Sequence, residues 1–528
     1  MADFTFAPLC PSAFLDRSAA VFAERLAIID GDVRFTYAQF ADRCARLVSA
    51  LAAAGVGAGD RVAALCTNSH VMLELHQAVP ARGAVLVSIN TRLSEEEMIY
   101  ILEHSGARLL IATHEFASSA RQAAERTGVQ VVVAGDDVDE YERRLRSATP
   151  DVRDRIERDE RDLLAINYTS GTTGKPKGVM YHHRGAYLQS VAMAYHARLG
   201  PDATYLWTLP MFHCNGWSFT WAVTAAGGTH VCLRNIDTAE IWRLLQSEGI
   251  THFSAAPTVL TMIGADTAAT TLNREVHVDT GGSPPSPALL KQLNRFGFDV
   301  THLYGLTETF GPVAINEWQA RWDQAGFEEA SRLRARQGVG NIVARPLRVL
   351  GPDGADVPTD GHTMGEIAVS GNVVMLGYYR DEAATRSVTR SGCMLTGDIG
   401  VMHQDGYIEI RDRSKDVIIS GGENVSSIEV EQVLDQHPHV LEAAVVGAPD
   451  EKWGEVLVAF VTRRDGADLT DVDLIAFARE RLAGFKVPRR VRFTELPKTS
   501  TGKIQKNLLR QTAADQSSPA AGSTAPRP

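Results

Sequence analysis

Cysteine is sparse and scattered. The six residues Cys10, Cys44, Cys66, Cys214, Cys232 and Cys393 include no C-x-x-C pair in 528 residues. That excludes a disulfide framework and points to a reducing compartment. The sixteen histidines show no ligand spacing beyond His182-His183. Adjacent side chains on a strand or helix diverge, so a structural metal is not expected. No apolar run reaches about 18 residues, so no membrane span or integral membrane contact is expected. The first residues, MADFTFAPLC, lack a basic leader region, and the final Pro-Arg-Pro is no peroxisomal tripeptide; a cytoplasmic location is the expectation. Positive charge is in deficit, with 53 Lys and Arg against 64 Asp and Glu. A net charge of -11 excludes nucleic acid as a general partner. The short run Arg332 to Arg336 reads as a solvated helix face.

What is present is a large globular chain, 44% hydrophobic and 22% charged, long enough for more than one core. Its first third alternates helix and strand signals. Thr36 can cap a helix with an apolar stripe of Phe40, Cys44, Leu47, Val48 and Leu51, stopped by Gly55. Ser94 with Glu97 makes a capping box. Apolar runs at 61–66, 84–89, 108–113 and 129–134 read as strands. Such alternation predicts an α/β fold with a largely parallel sheet covered by helices. From about Gly365, short strands between Gly and Asp turns suggest a β-rich subdomain. A small α+β region follows, with strands near 417–420, 443–447 and 456–461 and a helix over 470–482. The expected domains are residues 1–414, a lid at 415–510, and a disordered tail at 511–528.

Chemistry concentrates first in Tyr168 to Val179, YTSGTTGKPKGV. An apolar strand runs into Thr169, Ser170, Gly171, Thr172, Thr173, Gly174 and Lys175. Glycines let backbone approach a ligand closely, and N–H and O–H groups can then surround phosphate oxygens. The spacing is not that of a Walker A loop, and Pro176 biases Lys175 away from helix. A phosphate-holding flap that opens no helix is expected. Tyr304 to Thr309 (YGLTET), Thr396-Gly397-Asp398, Arg411 to Asp416 (RDRSKD) and Pro497 to Lys503 (PKTSTGK) are each weak alone.

Together and in this order, these motifs resemble the adenylate-forming superfamily of acyl-CoA synthetases, adenylation domains and luciferases, most nearly the fatty acyl-CoA synthetases. The resemblance runs from about Ala20 to Arg510. It implies a large N-terminal domain of layered β/α subdomains and a small mobile C-terminal domain. It also implies ATP, Mg²⁺ and coenzyme A as reactants. By this resemblance the Thr169 to Lys175 loop embraces the β and γ phosphates, Tyr304 stacks on adenine, and Thr307 bonds the α-phosphate. Glu308 holds Mg²⁺, while Asp398 and Arg413 take the ribose. Gly281, Gly282 and Ser283 form a floor between adenine and acyl group. Lys503 bridges the acid's carboxylate and the α-phosphate, and Lys415 is the hinge. After a domain rotation Gly421 and Gly422 line the CoA tunnel, with Trp453 near the CoA nucleotide.

The stretch Pro210 to Trp221, PMFHCNGWSFTW, reads either as a pocket wall or as a core strand. By resemblance His213 lies near the reacting carboxylate, and Trp217 gates an acyl tunnel. No acidic residue in this wall is placed for an amino group, so an apolar acid is expected, with medium-chain, branched and aryl acids all open and a role in fatty acid metabolism implied by the resemblance. An acyl-carrier protein could replace CoA as acceptor; Arg411 to Gly422 carries no long insertion, which favours CoA. A nucleotide sensor without turnover would have no use for Lys503 and Glu308. Self-association as a homodimer stays open.

Overall fold

The computed structural model describes residues 6–169, 175–282, 285–413, 415–420, 423–450, 453–464, 466–498 and 504–515. The chain divides into two compact units, 1–348 with 368–394, and 349–367 with 395–528. The boundary expected after residue 414 lies inside the second unit. The architecture is mixed α/β, with a large N-terminal domain and a smaller C-terminal one.

Two sheets organise the larger unit among the described residues. One has six strands in the order Gln130–Ala134, Ala107–Thr113, Arg61–Leu65, Val85–Ser88, Leu163–Thr169, Lys177–His182. All its neighbours are parallel except the last pair. The second has nine strands, and its parallel centre includes Phe298–Leu306, Val276–Gly281, His252–Ala255 and Thr204–Trp207. The helices between strands form where the sequence signals them. Thr36 and Gln39 close a reciprocal cap at the start of Tyr37–Ala53, and Ser94 and Glu97 do the same for Glu95–Ser105. Gly55 follows the first helix with φ +77°, as a left-handed stop requires. Both strand faces are covered, so the strands read as continuous apolar runs. Leu206, Phe253, Val278, Phe298 and Trp242 share one core, and Ala63, Val87, Ile101 and Ile166 another.

In the second unit, residues 398–402 pair antiparallel with Ile408–Arg413. The long strands Val440–Asp450 and Gly454–Arg463 also pair, with Arg490–Phe493 added in parallel. The expected helix near 470–482 is Asp471–Arg479, capped by Thr470. One expectation is corrected. The helix Lys506–Asp515 continues past 510, with Leu509 and Ala513 packed among Val446 and Phe460, so residues 511–515, expected as tail, are helix. The i, i+4 spacing of Leu509 and Ala513 supplies an apolar face that bulk composition conceals.

Candidate active site

Ligands of open α/β sheets bind beyond the carboxyl ends of parallel strands. In the nine-stranded sheet, Gly281 pairs with Leu303 at that end. The strand Phe298–Leu306 then makes one 3₁₀ turn, Thr307–Thr309, and returns antiparallel as Gly311–Ile315. The hairpin is exceptionally close: a Cβ on Gly305 would stand 1.9 Å from the Gly311 carbonyl oxygen. Only glycine permits that approach. Buried Thr309 ties the turn, accepting from the Leu306 N–H at 2.8 Å and donating to the Gly311 carbonyl at 2.8 Å. Tyr304, Thr307 and Glu308 are therefore fixed in one short, braced segment, with Tyr304 itself buried.

Two tyrosines distant in sequence reach this segment. The Tyr181 hydroxyl donates to the Thr307 carbonyl at 2.7 Å, and the Tyr378 hydroxyl donates to Glu308 Oε1 at 2.7 Å. Burial holds both phenols far above their ordinary pKa, and the Glu308 charge adds to the effect. Both remain donors at any working pH. The Met375 N–H also donates to the Glu308 carbonyl at 2.9 Å. An oriented carboxylate beside a threonine hydroxyl is a hard-oxygen donor set that fits Mg²⁺ completed by phosphate and water. Lys177 Nζ sits 4.9 Å over the Tyr378 ring, and Lys175 Nζ 4.9 Å over the Tyr100 ring. Thr169 ends the strand Leu163–Thr169 that delivers the loop. The remaining loop candidates, Ser170, Gly171, Thr172, Thr173 and Gly174, lie outside the described residues.

The segment around His213 and Trp217 is not a strand. Cys214, Asn215, Gly216, Trp217 and Ser218 all have positive φ, between 45° and 65°, making a left-handed turn closed by Gly216 N–H to the His213 carbonyl at 2.8 Å. Each L-residue in this region costs roughly 1–2 kcal/mol. Four of the five carry side chains, so the surroundings must impose the shape. The result projects two side chains toward the hairpin. Cys214 Sγ lies 3.3 Å from Thr307 Oγ1. The Trp217 indole covers Gly281 and Gly311; a Cβ on either would meet it at 2.9 and 3.1 Å. Trp217 is 9% exposed. The next residue of the expected floor, Gly282, has φ +104° with nothing within 4 Å of a built Cβ; Ser283 lies outside the described residues. The structure thus brings Tyr304, Thr307, Glu308, His213, Trp217 and Gly281 into one region of the larger unit.

In the second unit Asp398 is 2% exposed and pairs with Arg413, Nε to Oδ1 at 2.6 Å. Antiparallel register sets them opposite one another. Lys415 is exposed in the turn that follows, where partial burial and the neighbouring Arg413 and Arg510 charges lower its pKa. Trp453 packs beside the second core of this unit, with the Arg489 guanidinium 5.3 Å from its ring. Gly421, Gly422 and Lys503 lie outside the described residues.

Sequence reasoning missed Tyr181, Tyr378, Cys214 and Asn215. The first two act across separations of 126 and 70 residues, which no local motif encodes. Asn215-Gly216 was the one available sign, because that pair tolerates left-handed backbone.

Known proteins resemble this chain along most of its length. The AMP-binding enzyme family matches residues 15–379, and the AMP-binding enzyme C-terminal domain matches residues 429–503. The chain is 42% identical over 542 residues to the peroxisomal acetate/butyrate–CoA ligase of Arabidopsis thaliana, covering 97% of this chain and 95% of that one. It is 40% identical over 538 residues to the peroxisomal trans-cinnamate:CoA ligase of Petunia hybrida, covering 96% and 94%. Among solved structures, ATP-bound MatB from Rhodopseudomonas palustris matches with a TM-score of 0.85 at 28% identity, over 96% of this chain and 99% of that one. The chain belongs to the AMP-binding enzyme family and, within this adenylate-forming superfamily, to the acyl-CoA ligases.

Proposed function

We propose that the chain joins an apolar carboxylic acid, aliphatic or aryl, to coenzyme A at the expense of ATP, through an acyl-adenylate. The observation that carries this reading is that Glu308, oriented by Tyr378, and Thr307, met by Cys214 Sγ at 3.3 Å, lie beside the turn whose Trp217 indole covers Gly281 and Gly311; the first pair is read as the phosphate and metal segment and the indole as an apolar wall. An acid seated against that wall would present its carboxylate to the α-phosphorus of ATP.

In the first step a carboxylate oxygen attacks the α-phosphorus and the bond to pyrophosphate breaks, leaving an acyl–AMP anhydride. Anion meets anion, so positive charge and donors must be preorganised. The Thr307 hydroxyl would donate to the α-phosphate. Glu308 would hold Mg²⁺, which screens the phosphate charge when bound. Lys503 would bridge carboxylate and α-phosphate. The Asp398 carboxylate, steadied by Arg413, would accept from the ribose hydroxyls. In the second step the CoA sulfur, as thiolate, attacks the acyl carbon and AMP leaves. Lys415 is proposed as the hinge between the steps, with Gly421, Gly422 and Trp453 serving CoA.

A cytoplasmic location is proposed with this function. Its support is the six free cysteines, five of them buried, which a reducing compartment maintains. Relatives named peroxisomal make cell fractionation the check.

The test of function is a panel of acids scored for pyrophosphate release with ATP, alone and with CoA or an acyl-carrier protein. Pyrophosphate with apolar acids and thioester only with CoA supports the reading. Thioester only on carrier protein replaces the acceptor, and no α–β cleavage with any acid overturns the activity.

A further inference from the structure

The left-handed turn beneath Trp217 is held from below by a buried amide network that the reaction itself does not use. Asn215 sits at its centre, fully buried. Its Oδ1 accepts from Asn167 Nδ2 at 2.5 Å, and its own backbone N–H donates to Asn167 Oδ1 at 3.3 Å. The two asparagines therefore bond reciprocally. Asn215 Nδ2 points the other way, 3.0 Å from His76 Nε2 and 3.4 Å from Ser88 Oγ. The tautomer of His76 follows from its second nitrogen. Nδ1 faces the Met72 carbonyl at 2.7 Å, which only accepts, so Nδ1 carries the proton and Nε2 is the acceptor. Burial lowers the His76 pKa to about 4, so the ring stays neutral and this pairing persists at neutral pH.

The network's partners come from three different elements. Asn167 lies on the strand that leads into the phosphate loop, Ser88 on the neighbouring parallel strand, and His76 on the helix His70–Ala81. Among the described residues, no hydrogen bond joins any of their side chains to Thr307. Their common product is the shape of the turn, whose first residue meets Thr307 Oγ1 and whose fourth covers Gly281 and Gly311.

We propose that Asn215 is a positioning residue for acid selection: its amide, clamped between Asn167 and His76, holds the left-handed turn so that Trp217 caps the space over Gly281 and sets the size of acyl group admitted. The inference rests on the reading of Trp217 as the acid wall. Released from Asn215, the indole would swing away from Gly281 and admit bulkier acids, while the ATP side stays bound by other groups.

The experiment compares kcat/KM for butyrate, octanoate and cinnamate in the wild type, Asn215→Ala, Asn215→Gly, Trp217→Ala and the Asn215→Ala/Trp217→Ala double variant, with Tm measured for each. Asn215→Ala should raise kcat/KM for octanoate and cinnamate relative to butyrate by about 10-fold or more, the scale on which pocket size discriminates. The change should fall in the acids' KM more than in the KM for ATP. Asn215→Gly should do the same although glycine suits the backbone, because the amide is what acts. In the Trp217→Ala background, Asn215→Ala should move the preference no further, a full coupling of the two sites. A wild-type preference in folded Asn215→Ala and Asn215→Gly overturns the proposal, as does an equal effect in both Trp217 backgrounds. If Trp217→Ala leaves the preference unchanged, it is the acid-wall reading that fails. Should the Asn215 variants not fold, His76→Gln and Ser88→Ala loosen the same amide; an unmoved preference in both overturns the proposal equally.

Discussion

Tyr378 donates its hydroxyl to Glu308 Oε1 at 2.7 Å, across 70 residues of sequence. The phenol fixes the carboxylate's rotamer, the arrangement by which an outer partner would tune the proposed metal ligand. Tyr378→Phe should therefore raise the Mg²⁺ concentration needed for half-maximal adenylation by roughly 10–100-fold, with little change in the KM of the acid. Mg²⁺ titration of pyrophosphate release checks this. An unchanged titration curve would separate Tyr378 from the metal and leave it as packing.

Lys503→Ala should reduce acyl-adenylate formation by about 10²–10³-fold, the usual effect of removing one preorganised charge from a developing anion. The same variant should still turn premade acyl-adenylate and CoA into thioester at near the wild-type rate. ATP–pyrophosphate exchange and single-turnover thioester assays read the two halves separately. Retained exchange would remove Lys503 from its proposed role.

The parts of the fold that were legible in the sequence are those with local causes. Thr36 and Ser94 announce their helices because a cap needs a hydroxyl and a partner three residues on, and Gln39 and Glu97 supply it. The YGLTET motif was legible as chemistry, though the reason for its Gly305 appears only when Gly311 comes back against it. The stretch from His213 to Trp217 was legible in composition and illegible in shape. Hydrophobic periodicity carries no information on the sign of φ, and the turn is imposed by Asn167 and His76, 48 and 139 residues from Asn215. Residues 511–515 were misread for a related reason: Ala513 reads as neutral until strands arrive to bury it.

Acid should weaken the larger unit steeply. Burial lowers His76, His183, His252 and His302 from 6.5 to about 4 and His230 to about 3. The unfolded chain binds these protons as pH falls through 6.5, and the folded one does not until about 4. Stability contributed by their neutrality is thus complete above 6.5 and lost on the way down to 4. Asp279 opposes the trend, because burial raises it from 3.8 to about 7 and the folded state binds its proton first. Near pH 5 the balance is five protons against one, a limiting slope of roughly 5 kcal/mol per pH unit. Urea unfolding followed at pH 7, 6 and 5 checks this. A midpoint that stays level would mean that these rings gain partners or water on acidification.

Lys415→Pro should leave acyl-adenylate formation close to wild type and abolish transfer to CoA. Proline fixes φ near −65°, so any rotation about φ at this residue between the two steps is lost. Lys415 occupies an exposed turn in which the Asp416 and Val417 N–H groups both donate to the Arg413 carbonyl, at 2.8 and 3.0 Å. The substitution therefore tests a pivot in a segment already tied on one side. Equal losses in both half-reactions would make Lys415 a structural residue and move the pivot elsewhere.

Gly305→Ala should damage both half-reactions together, which sets it apart from Lys503 and Lys415. The added methyl group would stand 1.9 Å from the Gly311 oxygen and 2.8 Å from Pro312 Cα, and backbone atoms cannot rotate aside as a side chain can. The hairpin must open, and Tyr304 and Thr307 move with it. Misplacement of a reacting geometry by about 1 Å costs on the order of 10²-fold. A loss of that size is expected in adenylation, with the KM of ATP raised, and again in consumption of premade acyl-adenylate, because the same hairpin would hold the adenylate in both steps. Near-normal kinetics in a folded Gly305→Ala protein would show that the closeness of this hairpin serves neither nucleotide nor acid, and would force the phosphate-binding role away from Thr307.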